Sequence, residues 1–180
     1  MTRMEHGLTK GMKWPSGNPF MGYKDRALTR FEKQIALDVF HESLPDFSRI
    51  RISDGIGLGN RPWTRASEWL PFADTVWVLN LGARGFSDTS TMKDTLVHEL
   101  VHVWQGYHSI FESSFMLKSF LSQAKVWTSA YKYTPGKKWS DYNVEQKAEI
   151  VEDWYENGMR KTEADPLFPY IKNHIWAGVD

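Results

Sequence analysis

The chain predicts an α+β fold, with strands in its first half and helices dominating its second. Three observations carry this. β-branched and aromatic runs of strand character are confined to residues 49–80. Helical spacing of apolar residues governs most of the chain after residue 90. Between them stands Thr91–Gln105, TMKDTLVHELVHVWQ, whose apolar residues flank a histidine-bearing face on both sides. A helix apolar on two sides is a buried helix, around which the other elements must pack.

At 180 residues the chain is long enough for one well-filled core. Residues 1–25 hold Gly7, Gly11, Pro15, Gly17, Pro19 and Gly22 among isolated aromatics. They predict an irregular arm, with 26–180 as one domain. The 22 basic and 22 acidic residues cancel, and no basic patch or nucleic-acid motif is present, so nucleic acid is not the expected partner. The 9 Trp fit a rigid aromatic core. Cysteine is absent, which excludes disulfides and thiolate metal sites and leaves His, Asp and Glu as ligands. The first residues lack an apolar core of the kind a secretory signal carries, and no apolar run reaches membrane-spanning length. The expected location is the cytoplasm, or outside it by export without a cleaved signal.

In chain order, Leu28, Phe31, Ile35 and Val39 predict a helix over Arg26–Phe40, closed by Leu44-Pro45-Asp46. Arg49–Ser53 alternates as a strand does. Gly55–Pro71 reads as a loop; its Gly55, Gly57 and Gly59 lack the spacing of a phosphate-binding turn. Ala73–Asn80 is the strongest strand. Thr91 with Asp94 predicts a capping box for the central helix, and Gly106 its end. Phe111–Tyr133 predicts a long helix, ended by Thr134-Pro135-Gly136. Asn143–Gly158 predicts another, burying Val144, Ala148, Val151, Tyr155 and Met159, with Glu145, Glu149, Glu152, Asp153 and Glu156 on its flank. Tyr170–Trp176 reads as a short closing segment.

The central helix contains His98-Glu99-Leu100-Val101-His102. Residues four apart share a helix face, so His98 and His102 can offer two imidazole nitrogens to one tetrahedral zinc. Glu99 then stands beside the metal, able to take a proton from a water. Five letters can match by accident, so the capped, buried helix around them is the necessary context.

A catalytic zinc keeps three protein ligands, and two stretches compete to supply the third. His108 lies six residues beyond His102, as in the pattern HExxHxxGxxH, but Gln105 stands where that pattern turns on glycine. On the acidic helix, Glu145 and Glu149 lie four apart on one face. Glu145 can bind zinc while Glu149 accepts an N–H from a ligand histidine; alternatively Glu149 binds, with Asp153 behind it.

HELVHVWQ, followed some forty residues later by YNVEQKAEIVEDW, resembles gluzincin-type metallopeptidase domains. More narrowly, it is similar to small bacterial zincin-like proteins described as related to Vgr, the spike component of type VI secretion. The resemblance spans roughly residues 31–176. It implies a zincin-like fold, with a small mixed sheet against the active-site helix. It implies His98, His102 and Glu145 as zinc ligands and Glu99 as general base. Gluzincins usually have Asp behind the histidine, where this chain offers Glu149.

The expected function is therefore zinc-dependent hydrolysis of peptide bonds in a peptide or protein substrate. Strand Ala73–Asn80, through Val76, Trp77 and Val78, is the expected edge for aligning an extended peptide. His108, Tyr131, Tyr133, Tyr155 and His174 are the candidates to stabilise the oxyanion. Two alternatives are a catalytically weak accessory protein of the same fold, and a secreted effector hydrolase linked to a bacterial secretion system. Either brings a secretion-apparatus or inhibitor partner.

Overall fold

The computed structural model describes residues 23–67, 75–108 and 130–180. Four short strands form one mixed sheet, β1 (Asp25–Ala27), β2 (Ile50–Ser53), β3 (Trp63–Ser67) and β4 (Val76–Asn80). Their spatial order is β1-β2-β4-β3. β2 and β4 run parallel, with Ile52 opposite Leu79, while β1 and β3 pair antiparallel on either side. Among the described residues five helices accompany the sheet: α1 (Arg30–Phe40), α2 (Gly82–Ser87), α3 (Lys93–His108), α4 (Val144–Glu156) and α5 (Phe168–Tyr170). The last runs on into a π-helical turn, Ile171–Ile175. The architecture is α+β, with the sheet early and the helices late.

α3 carries the histidines and is the hub. Leu96, Val97, Leu100, Val101, Val103 and Trp104 are all fully buried. They meet Phe40 of α1, Ile52 and Leu79 of the sheet, and Ile150 and Trp154 of α4 in one continuous core. The Trp104 indole donates to the Ile175 carbonyl at 3.1 Å, tying the closing segment to the hub. α4 begins at a full capping box. Asn143 accepts from the Gln146 amide at 2.9 Å, and the Gln146 side chain accepts from the Asn143 amide at 3.1 Å. That fixes where its first turn starts.

Several expectations change. The helix expected from Arg26 begins at Arg30, with Thr29 as its cap, because 25–27 pairs with β2 instead. Leu44-Pro45-Asp46 follows the helix rather than ending it; Phe40 is last and Asp46 caps a 3₁₀ turn. The expected loop 55–71 contains β3. Thr91 does not cap α3: its hydroxyl accepts from Arg84 at 2.9 Å, and the first helical bond reaches the Met92 carbonyl. Gly106 does not end α3 either; two further residues follow it in the helix. The α4 core contacts come mainly from Ala148, Ile150, Val151 and Trp154, with Val144, Tyr155 and Met159 half-buried. Most of the expected arm and of the helix Phe111–Tyr133 lies outside the described residues.

β4 is not an edge. All five of its residues are buried and it is paired on both sides, so Val76, Trp77 and Val78 cannot receive an added strand. β3 is the outer strand on that side among the described residues.

Gly106 has a packing role. A Cβ placed there would lie 2.5 Å from Cζ3 of Trp77, so the absent side chain is what lets α3 lie on β4. In an unobstructed helix, Gly→Ala stabilises by about 1 kcal/mol. Here Gly106→Ala is expected to destabilise by about 1–3 kcal/mol in urea unfolding, as overpacking does. A stability gain would show that Trp77 is free to move aside.

Candidate metal centre

One turn of α3 separates His98 from His102, and both point towards α4. Their side chains are 12% and 16% exposed, enough for a small ligand to reach them. The rings stand nearly perpendicular, with centroids 5.0 Å apart. Glu145, second residue of α4, meets them. Its Oε2 lies 3.1 Å from His98 Nε2 and 3.6 Å from His102 Nε2. Two ligand atoms on a tetrahedral ion with bonds of 2.0–2.1 Å stand roughly 3.3 Å apart. The three donors have the spacing to hold one small divalent cation.

The opposite nitrogens are engaged separately. His98 Nδ1 donates to Glu152 Oε2 at 2.7 Å. His102 Nδ1 donates to Gln105 Oε1 at 2.9 Å, while Gln105 Nε2 donates to the Val144 carbonyl at 2.9 Å. With both Nδ1 atoms committed as donors, Nε2 of each ring is the nitrogen left to face a ligand.

Electrostatics follow this geometry. Burial disfavours a charged His98, yet hydrogen bonds to Glu145 and Glu152 prevail and push its pKa up to about 10. Burial also opposes a charged His102, and Glu145 overrides it in the same direction. Burial alone would raise Glu145, but the two imidazoles hold it far below the carboxylate range. The pocket thus favours positive charge at the point where the three side chains meet. Glu149 is pushed up to about 6, first by burial and then by the Glu152 charge.

Glu99 is buried beside this cluster at 4% exposure. The Thr64 hydroxyl, on β3, lies 2.6 Å from Glu99 Oε2 and donates to it. Tyr131 also lies near the cluster, its ring centroid 6.0 Å from that of His98. Arg61 hydrogen-bonds its phenol, and the charges of Glu145 and Glu99 act on it.

The structure brings His98, His102, Glu99 and Glu145 together. It does not bring His108, whose Nε2 donates to the Ser43 carbonyl at 2.6 Å. Glu149 is not the partner of His98: its carboxylate stands 3.9 Å from Nδ1, and Glu152, one turn further, takes the hydrogen bond. Asp153 is occupied by the Tyr133 hydroxyl at 2.5 Å. Of the other oxyanion candidates, His174 stacks on Trp139 and bonds the Val179 carbonyl, and Tyr155 lies near Asp38 and Asp94, whereas the Tyr131 ring approaches His98. Thr64, Gln105 and Glu152 were missed by sequence reasoning. Two had a signal: Gln105 lies three residues past His102, and Glu152 seven past Glu145, each on the same helix face.

No protein-family model matches the chain. It is 30% identical over 138 residues to the type VI secretion system spike protein VgrG2b of Pseudomonas aeruginosa. That match takes in 72% of this chain and only 13% of the spike protein's length. The solved effector domain of P. aeruginosa VgrG2b aligns with a TM-score of 0.52 at 28% identity, covering 86% of this chain and 83% of that one. The chain is homologous to the VgrG2b effector domain. This similarity supports the secretion-linked effector alternative better than the expected reading as a zinc peptidase. Among the described residues no helix is long and apolar enough to cross a membrane.

The raised pKa of Glu149 carries a pH signature. An unfolded glutamate releases its proton near 4.5, and the folded one near 6. Between these values the folded protein binds more protons, so this group's contribution lowers stability as pH rises. Glu149→Gln is expected to raise the Tm of metal-free protein above pH 7 and leave it nearly unchanged at pH 4. An equal shift at both pH values would remove the charge explanation.

Proposed function

We propose that the chain is an effector hydrolase of a type VI secretion system, and that it cleaves peptide bonds with a zinc ion held by His98, His102 and Glu145. One observation carries the chemistry: two imidazole Nε2 atoms converge on one carboxylate oxygen at 3.1 and 3.6 Å, with both Nδ1 atoms committed elsewhere. The donor set fits zinc, being two imidazoles and a carboxylate without thiolates. The secretion setting comes from the homologue, named as the effector domain of a type VI spike protein. Export, and a partner in the secretion apparatus, belong to this proposal.

Zinc held by His98, His102 and Glu145 would supply Lewis acidity and would lower the pKa of a water at the site towards ~7. The protein's own groups do the rest. Thr64 holds Glu99 Oε2, which leaves Oε1 to accept the proton of the attacking water. Glu99 later delivers that proton to the departing amine, as a general base turned acid. Tyr131, whose ring centroid lies 6.0 Å from that of His98, is the group this reading assigns to the developing oxyanion, with Arg61 polarising its phenol. β3 takes over the role expected of β4. As the outer strand it offers main-chain groups to an extended peptide, and Thr64 joins it to the catalytic glutamate.

Purified protein is expected to hold one zinc per chain. Glu99→Gln should keep that zinc and lose cleavage of a mixed peptide library by roughly 10²–10⁴-fold, the usual contribution of a general base. Zinc bound with no cleavage by the unaltered protein would sink the peptidase reading. For the ligand set, Glu145→Ala should lose zinc by elemental analysis while His108→Ala keeps it; the opposite result would transfer the third ligand to His108.

A further inference from the structure

Gln105 is a polar side chain placed deep in the protein, 2% exposed, within one turn of His102. Its amide makes two different bonds at once. The oxygen accepts from His102 Nδ1 and the nitrogen donates to the Val144 carbonyl, each at 2.9 Å. Val144 is the first residue of α4 and the immediate neighbour of Glu145. The Val144 carbonyl fixes which way the amide points, since it can only accept; that in turn presents the oxygen to His102 and requires a proton on Nδ1.

We propose that Gln105 is a positioning residue for the metal centre, one side chain that both holds His102 in its Nδ1–H form and pins the first turn of α4 beside it. The proposal rests on the metal-site reading above. Few other side chains serve both bonds. Leucine fills the space and makes neither. Glutamate accepts from His102, but its second oxygen faces the Val144 carbonyl, where two acceptors repel. The two ligand histidines are therefore supported unequally: His98 by the charged Glu152, His102 by a neutral amide that is also a tie between helices. A change at Gln105 displaces the direction of the His102 lone pair and the stance of Glu145 together. A change at Glu152 disturbs His98 alone.

The test uses the full chain labelled with ¹⁵N-histidine, with Gln105→Leu and Gln105→Glu as variants. NMR of metal-free wild type is expected to show a slowly exchanging, hydrogen-bonded Nδ1–H proton on His102. Gln105→Leu should lose that signal, bind Co²⁺ about 10–100-fold more weakly, and alter the visible spectrum of the cobalt form. Gln105→Glu should keep the signal but speed hydrogen exchange of the amides at 145–148, which separates the two roles. It also serves as the second variant if leucine prevents folding. A Gln105→Leu protein with wild-type signal, affinity and spectrum would overturn the proposal, as would unchanged exchange in Gln105→Glu. Failure of wild type to bind cobalt would end the metal reading. The Nδ1–H signal, read without metal, would still decide whether Gln105 holds His102.

Discussion

The packing of α4 along the histidine face of α3 is the constraint on which the rest depends. His98 and His102 are brought to one side by helix geometry alone, but two imidazoles do not make a site. The third donor comes from a residue 43 positions later. It arrives because Ala148, Ile150, Val151 and Trp154 bury α4 against the hub, while the Asn143 capping box sets where its first turn begins. Glu145 falls in that first turn. There the unpaired backbone N–H groups and the helix dipole favour an anionic side chain, adding to the hold of the two histidines.

This arrangement concentrates like charge. Glu145, Glu149, Glu152, Asp153 and Glu156 occupy one helix, and Asp94 of α3 faces Glu152 and Glu156. Burial and mutual repulsion push Glu149 up to about 6, a local cost with no structural gain of its own. Partnered carboxylates behave otherwise. Glu32 is almost fully buried, yet its pKa is lowered: burial is outweighed by hydrogen bonds from Arg26, Thr29 and Thr89. The contrast separates structure from site. Glu32 is satisfied by fixed donors and serves the fold. The acidic flank of α4 faces the two histidines through Glu145 and Glu152, and Tyr133 donates to Asp153, so its charge is only partly met by the contacts described.

How far the sequence could be read follows from how local each feature is. α3 and α4 were legible because 3.6-residue periodicity is written in consecutive residues, whereas the end signals read for α3 at Thr91 and Gly106 did not hold. The pairing of His98 with His102 on one face followed, since i,i+4 spacing fixes which side chains share a face. What failed was relational. Glu149 and Glu152 lie on the same side of α4, and only the crossing of the two helices decides which one meets His98. β3 was hidden because Trp63–Ser67 has no strong alternation; it becomes a strand by pairing with β4. The edge assignment of β4 had a signal against it: an unbroken apolar run from Val76 to Leu79 marks a strand covered on both faces. The Gly106 reading failed similarly, since a glycine can end a helix or admit a neighbour, and Trp77 chose the second.

The chemistry of the donors also bears on the proposed setting. An exported effector leaves a reducing compartment and acts in a different one, so a fold dependent on disulfides, or a site built on thiolates, would change state on the way. This chain contains no cysteine at all. Its core is held by aromatic and aliphatic packing around α3, and its candidate site uses imidazole and carboxylate donors whose protonation, not redox state, governs binding. Such a site forms whenever α3 and α4 pack together. Folding and assembly of the centre are then one event, and whatever strengthens that packing, Gln105 included, strengthens the site.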